Sequence, residues 1–204
     1  MAKTSGGLRG GANAAASRWA AGISNPDMRA EAETAALLLS SKLGIPPSSL
    51  PKIIEAQIKS GKMGATVANY RNNDFGETIT INTDKKAVNI YKANQYASVK
   101  DGWSTQSNTV LHELSHGIHR RLESELIKTP QGYRKAQQVG RIDDAVIKKG
   151  VSKYAATNNS EFHAELISGI LSGKRYSKQI LDDSILGASS NRIARKLYKM
   201  GLKR

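Results

Sequence analysis

Val110-Leu111-His112-Glu113-Leu114-Ser115-His116-Gly117-Ile118-His119-Arg120-Arg121 is the stretch on which the reading of this chain turns. His112 and His116 are four residues apart, so on a helix they stack on one face, one turn apart. Glu113 follows His112 directly and is rotated about 100° around the axis. Imidazole nitrogens suit zinc, and two at this spacing can clamp one ion. The adjacent carboxylate can then reach a water on that ion and take its proton. Leu111, Leu114 and Ile118 fall on a stripe that would face a core and hold the helix still. The same four-residue spacing also arises by chance, so a third ligand has to decide the matter.

The nearest candidates fail. A long metzincin pattern needs glycine at position 119 and histidine at 122, where this chain has His119 and Leu122. His119 shares the stripe but lies about 10 Å along the axis from His112, which predicts a surface group or one supporting a ligand. A better source is Val151-Ser-Lys-Tyr154-Ala-Ala-Thr-Asn-Asn-Ser-Glu161-Phe-His-Ala-Glu165. Asn158 to Ser160 can cap a helix starting just before Glu161, with Phe162, Leu166, Ile167 and Ile170 as its apolar face. Glu161 and Glu165 then stack on one side, where two like charges repel unless a cation holds them. A metal on Glu161, with Glu165 hydrogen-bonded to a ligand histidine, explains both; a solvated acidic face partnering the many lysines is the alternative.

The two segments together resemble the gluzincin peptidases, most closely the branch containing anthrax lethal factor and the zincin-like domains of phage and mobile-element proteins. Tyr154, Thr157, Asn158, Glu161, Phe162, Ala164 and Glu165 match that branch's downstream motif, and Gly102-Trp103 before the helix is a weaker match. His163 departs from it, standing where an aromatic apolar residue is usual. The resemblance covers about residues 102–172. It implies a zincin-like fold and a zinc ion held by His112, His116 and Glu161, with Glu113 as general base. It also implies that Tyr154 donates to the developing oxyanion, and that a strand near Thr78–Asn82 pairs with an extended peptide substrate.

Around this core the chain reads as α+β. Asn25-Pro26-Asp27 opens a helix over Met28–Leu43, closed by Gly44 and Pro46-Pro47. Ser48-Ser49 predicts a short second helix over Pro51–Lys59, ending at Gly61. Thr66–Tyr70, Glu77–Asn82 and Ala87–Tyr91 alternate and carry β-branched and aromatic residues, with turn clusters at Asn72-Asn73-Asp74 and Thr83-Asp84-Lys85. They predict three short antiparallel strands, in a small antiparallel or mixed sheet, followed by a mostly helical C-terminal half. The organisation expected is a flexible Gly/Ala-rich arm over 1–24, the zincin-like domain over 25–173 and a basic helical tail over 174–204.

Composition narrows the chemistry. Among 204 residues there is no cysteine, which excludes disulfides, thiolate-held zinc, iron–sulfur clusters and thiol catalysis. Any zinc must therefore sit on histidine and carboxylate. No apolar run approaches the roughly 18 residues of a membrane span, and the N-terminus lacks the apolar core of a secretory signal. A cytosolic location in a bacterial host, or a place in a virion, is expected, with no membrane partner. The 31 Lys and Arg exceed the 17 Asp and Glu, a formal charge of +14. Arg192, Arg195, Lys196 and Lys199 recur at helical spacing, opposite Ile193, Leu197 and Met200, and would form one cationic stripe. Non-specific nucleic acid or other virion proteins are the partners such a tail would take, and a protein or peptide is the substrate of the site. The alternatives to a peptidase are a basic DNA-associated virion protein on the same fold and a toxin cleaving a host protein.

Overall fold

A computed structural model describes residues 6–58, 66–73, 76–105, 108–139 and 142–203. The chain is α+β, with helices α1 (Gly6–Ala20) and α2 (Pro26–Leu43) ahead of a three-stranded mixed sheet and helices after it. Its residues group into two compact units, one of Met1–Lys92 with Asn108–Leu114, the other of Ala93–Ser107 with Ser115–Arg204. Among the described residues, no helix is long and apolar enough to cross a membrane.

In the first unit, α2 begins and ends as its signals require. Asn25 accepts from the backbone N–H groups of Asp27 and Met28, Pro26 fills the first turn, and Gly44 closes the helix at φ 74°. Met28, Ala32, Ala35, Ala36 and Leu39 make its buried stripe. The expected N-terminal arm is instead helical in its described part: α1 packs on α2, with Ala16 and Ala20 fully buried and Ile23 behind them. Small residues let the two helices approach closely, so the alanine content that suggested a loose arm is an interface. Residues 1–5 of that arm lie outside the described residues.

The sheet differs from the expectation in two strands. β1 (Lys52–Ala56) occupies the segment expected to be helical, and pairs in parallel with β3 (Gly76–Asn82). β2 (Ala68–Asn73) pairs antiparallel with β3, giving the order β1-β3-β2. Ser49 caps no helix; its hydroxyl donates to the Pro46 carbonyl in a 3-10 turn over Pro47–Ser49. The β-branched pair Ile53-Ile54 then finds its partners about 25 residues downstream, Ile79 and Thr80, a pairing that local pattern does not reveal. The third expected strand, at residues 87–91, is part of helix α3 (Lys85–Lys100). Asp84 accepts from the N–H groups of Lys86 and Ala87, so the cluster taken for a turn is a helix start. Gly61 and Asp74, proposed as a stop and a turn, lie outside the described residues.

Because β3 is the central strand, both of its edges are occupied. The expectation that a peptide adds to Thr78–Asn82 is therefore corrected: in this sheet only β1 and β2 have an outer edge.

Helix α4 (Thr109–Leu126) carries the histidines. Its first turn is tied to α2: Glu31 accepts from the Thr109 N–H at 2.9 Å, and the Asn108 side chain donates to the Glu31 carbonyl and accepts from Leu111 N–H. Val110, Leu111, Leu114, Ile118 and Leu122 are buried, as the stripe predicts.

The second unit is built on α7 (Asn159–Leu171), capped by Asn158, whose side chain accepts from Glu161 N–H at 2.9 Å. Every residue from Phe162 to Leu171 is buried. Before it come α5 (Pro130–Ala136), α6 (Asp144–Gly150) and a 3-10 turn over Ala155–Thr157. After it come α8 (Lys178–Asp182), α9 (Ile185–Ala188) and α10 (Arg192–Gly201). Residues 174–203 are not a separate tail. α10 packs on α7 through Ala194, Leu197 and Gly201, and Tyr176 pairs with Leu202 through bonds to Gly201 and Lys203.

Candidate metal centre

His112, His116 and Glu161 each present a ligand atom, and these atoms lie within 4.8 Å of one another. His112 is buried and the other two are half-buried. The His116 Nε2 is 3.4 Å from a Glu161 carboxylate oxygen. On its other side, His116 Nδ1 is 3.1 Å from the Ser160 hydroxyl. A ring whose Nδ1 is engaged by a hydroxyl keeps Nε2 for the ligand position. The sequence places Ser160 in a helix cap, and its position immediately before Glu161 is the signal for this contact.

Two imidazoles and one carboxylate converging on one point fit a divalent metal of borderline softness, and three protein ligands leave a coordination position open. Histidines at this spacing and a carboxylate from a second helix are thus brought together as the sequence implied.

Glu113 is 9% exposed, and its Oε2 accepts from the backbone N–H of Tyr70, in β2, at 2.7 Å. A main-chain donor fixes the carboxylate on its helix; nothing in the sequence around residue 70 announces this contact. Tyr154 is half-buried at the start of the 3-10 turn. Its N–H donates to the Trp103 carbonyl at 2.9 Å, beside a Lys153 N–H to Gly102 carbonyl bond at 3.0 Å. The two rings, Trp103 and Tyr154, have centroids 6.3 Å apart. Gly102 sits at φ 67°, a conformation that favours glycine.

Glu165 is buried and gathers donors from three places. Its Oε2 accepts from Thr105 N–H at 2.6 Å and from the Ser152 hydroxyl at 3.0 Å, and its Oε1 from the Ser104 hydroxyl at 3.3 Å. It thereby fastens the 102–105 segment to the 152–154 segment that carries Tyr154. A buried carboxylate held by several donors is stable only while they all remain.

No family model, curated protein or solved structure matches this chain. Its site rests on its own geometry.

His119 corrects an expectation. It is 4% exposed, lies inside the second unit and stacks on His163 with centroids 4.3 Å apart and planes 13° from parallel. His163, the departure from the motif, is fully accommodated. The Ile185 N–H donates to its Nε2 at 3.0 Å, and its Nδ1 therefore donates to the Asn159 carbonyl at 2.8 Å, so the ring is neutral. Burial first, and the neighbouring histidine second, hold His163 well below the ordinary histidine range. Burial, with the charges of His116 and Arg120 behind it, lowers His119 to about 4.

On α10, Arg192, Arg195, Lys196 and Lys199 are all exposed, while Ala194 and Leu197 are buried and Ile193 and Met200 half-buried. The cationic stripe is thus displayed outward from a docked helix.

Proposed function

We propose that this chain is a zinc-dependent peptidase of gluzincin type, cutting peptide bonds in proteins or peptides. The observation that carries the reading is the convergence of His112, His116 and Glu161, with Glu113 one residue from the first ligand and oriented by the Tyr70 amide. When bound, zinc supplies Lewis-acid chemistry, acidifying a water and polarising a carbonyl. Glu113 takes the proton of the attacking water and delivers it to the leaving amine. Tyr154 donates a hydrogen bond to the oxyanion as it forms, a contact made only in the transition state. Glu165 keeps the Tyr154 segment in place through its bonds to Thr105 and Ser152.

The test is metal analysis together with proteomic cleavage profiling. The wild type should hold about one zinc ion per chain, matching the one ligand cluster among the described residues. Glu161→Ala should lose or weaken it. Glu113→Gln should keep the ion and lower hydrolysis by roughly 10²–10⁴-fold or more. A purified chain that takes up no zinc when supplied with it sinks the reading.

The exposed stripe on α10 favours a second reading, a basic virion or DNA-associated protein that keeps this fold with or without catalysis. It requires DNA binding that weakens with salt and survives Glu113→Gln. A peptidase acting as a toxin differs only in its target.

A further inference from the structure

One open cleft of the second unit, about 700 Å³ in volume, has no role in the chemistry above. One wall is Trp103, 49% exposed. Lys148 and Lys149, in the last turn of α6, and Lys153 just beyond it stand exposed at the rim. Ala145, Ala156 and Thr157 complete the lining. The Thr157 hydroxyl donates to the Tyr154 carbonyl at 2.8 Å, so it is already engaged within its own turn. Among the described residues, no acidic side chain lines the cleft. Of the carboxylates closest in sequence, Asp143 is occupied in capping α6, where it accepts from Ala145 N–H at 2.6 Å; Asp101 and Asp144 are exposed outside the lining.

A half-exposed indole beside two alanine methyls takes an apolar side chain, and three ammonium groups around it take carboxylates. The cleft is also tied to the segment that carries Tyr154. Lys153 precedes Tyr154, and the backbone bonds from Lys153 and Tyr154 to Gly102 and Trp103 bind the cleft's aromatic wall to the proposed oxyanion donor. The Tyr154 ring is 6.3 Å from the Trp103 ring, centroid to centroid, so an occupant of the cleft lies beside the proposed oxyanion donor.

We propose that this cleft is a substrate subsite for an apolar residue flanked by Asp or Glu, which makes acidic polypeptide the substrate class. The inference rests on the peptidase reading. Nucleic acid fits the cleft less well: it offers one ring to stack on, a single hydroxyl whose proton is already given to the Tyr154 carbonyl, and lysines gathered at one small opening.

Three fluorescent dodecapeptides with one leucine core, flanked by glutamates, glutamines or lysines, test it on the full-length zinc-loaded chain. Binding is read by anisotropy with Glu113→Gln, and cleavage by mass spectrometry with the wild type. At low salt the glutamate peptide should bind on the order of tenfold more tightly than the glutamine one, and the lysine peptide should bind most weakly. The combined Lys148→Glu, Lys149→Glu and Lys153→Glu variant should reverse the order at unchanged zinc content. Trp103→Ala should weaken all three peptides together. Equal binding of the glutamate and glutamine peptides, or a preference indifferent to the three reversals, overturns the subsite. So does an oligothymidylate that binds through these lysines where the acidic peptide does not. Cleavage without acidic preference refutes the subsite and leaves the peptidase standing. Acidic binding that follows the lysines, with no chain cut by the wild type, refutes the peptidase instead.

Discussion

At His116 one ring nitrogen meets the Ser160 hydroxyl and the other faces Glu161, so the ring's tautomer is set from outside the ligand cluster. Removing that hydroxyl in Ser160→Ala should lower zinc affinity by roughly 10–100-fold, read by titration against a competing chelator, while the fold is retained. An unchanged affinity means the hydroxyl is only part of a helix cap. Three residues on, His119 carries a different consequence. Its folded-state value of about 4 lies below the ordinary 6.5, so the unfolded chain takes up the proton first as pH falls. The associated stability is complete above pH 6.5 and drains away between 6.5 and about 4, up to roughly 3 kcal/mol, with His163 acting in the same direction. Urea unfolding of the zinc-free chain at pH 7 and pH 4.5 should show the loss, and His119→Phe, which keeps a ring on His163, should flatten it. Equal slopes for the two proteins would remove the stacked pair from the account.

At the scale of elements, α4 is positioned from its first turn. The Glu31 carboxylate receives the Thr109 N–H, satisfying a helix-start donor with an anion at the positive end of the dipole. Glu31→Ala should cost about 1–2 kcal/mol in denaturant unfolding, and should also loosen zinc binding because His112 lies on that turn; Glu31→Gln should restore part of both. Helices whose ends carry their own chemistry were legible in the sequence. Asn25 and Gly44 bracket α2, and Asn158 starts α7, because a cap is a contact between near neighbours. β1 and α3 were not legible. The Ile53-Ile54 pair has a periodicity compatible with either state, and its parallel partner lies beyond an intervening strand. The Ala87–Tyr91 segment alternates like a strand, yet Asp84 had already committed the chain to a helix.

Over the whole molecule, the surplus of positive charge is carried partly by an element that also completes a core. Deleting the chain after Lys174 would strip Leu197, Ala194 and Gly201 from α7 and unfold part of the second unit, confusing a lost binding surface with a lost fold. Replacing Arg192, Arg195, Lys196 and Lys199 by glutamine avoids this, since all four are exposed. Thermal stability should be nearly unchanged, and, if the stripe meets DNA, the slope of log affinity against log salt should fall by roughly 3. A slope that does not move assigns the stripe to solvent. Of the candidate site, His112 and His116 were readable because their spacing puts them on one helix face, while Glu161 had a solvated alternative and was singled out by the resemblance. Its supports were less so: the donors that reach Glu165 come from side chains and one amide scattered over two segments. The hold on Glu113 is the extreme case, since the donor is the peptide group of residue 70. Any amino acid except proline can supply that group. The side chain at residue 70 can therefore change without removing the donor that aims the carboxylate, whereas Tyr70→Pro would erase it.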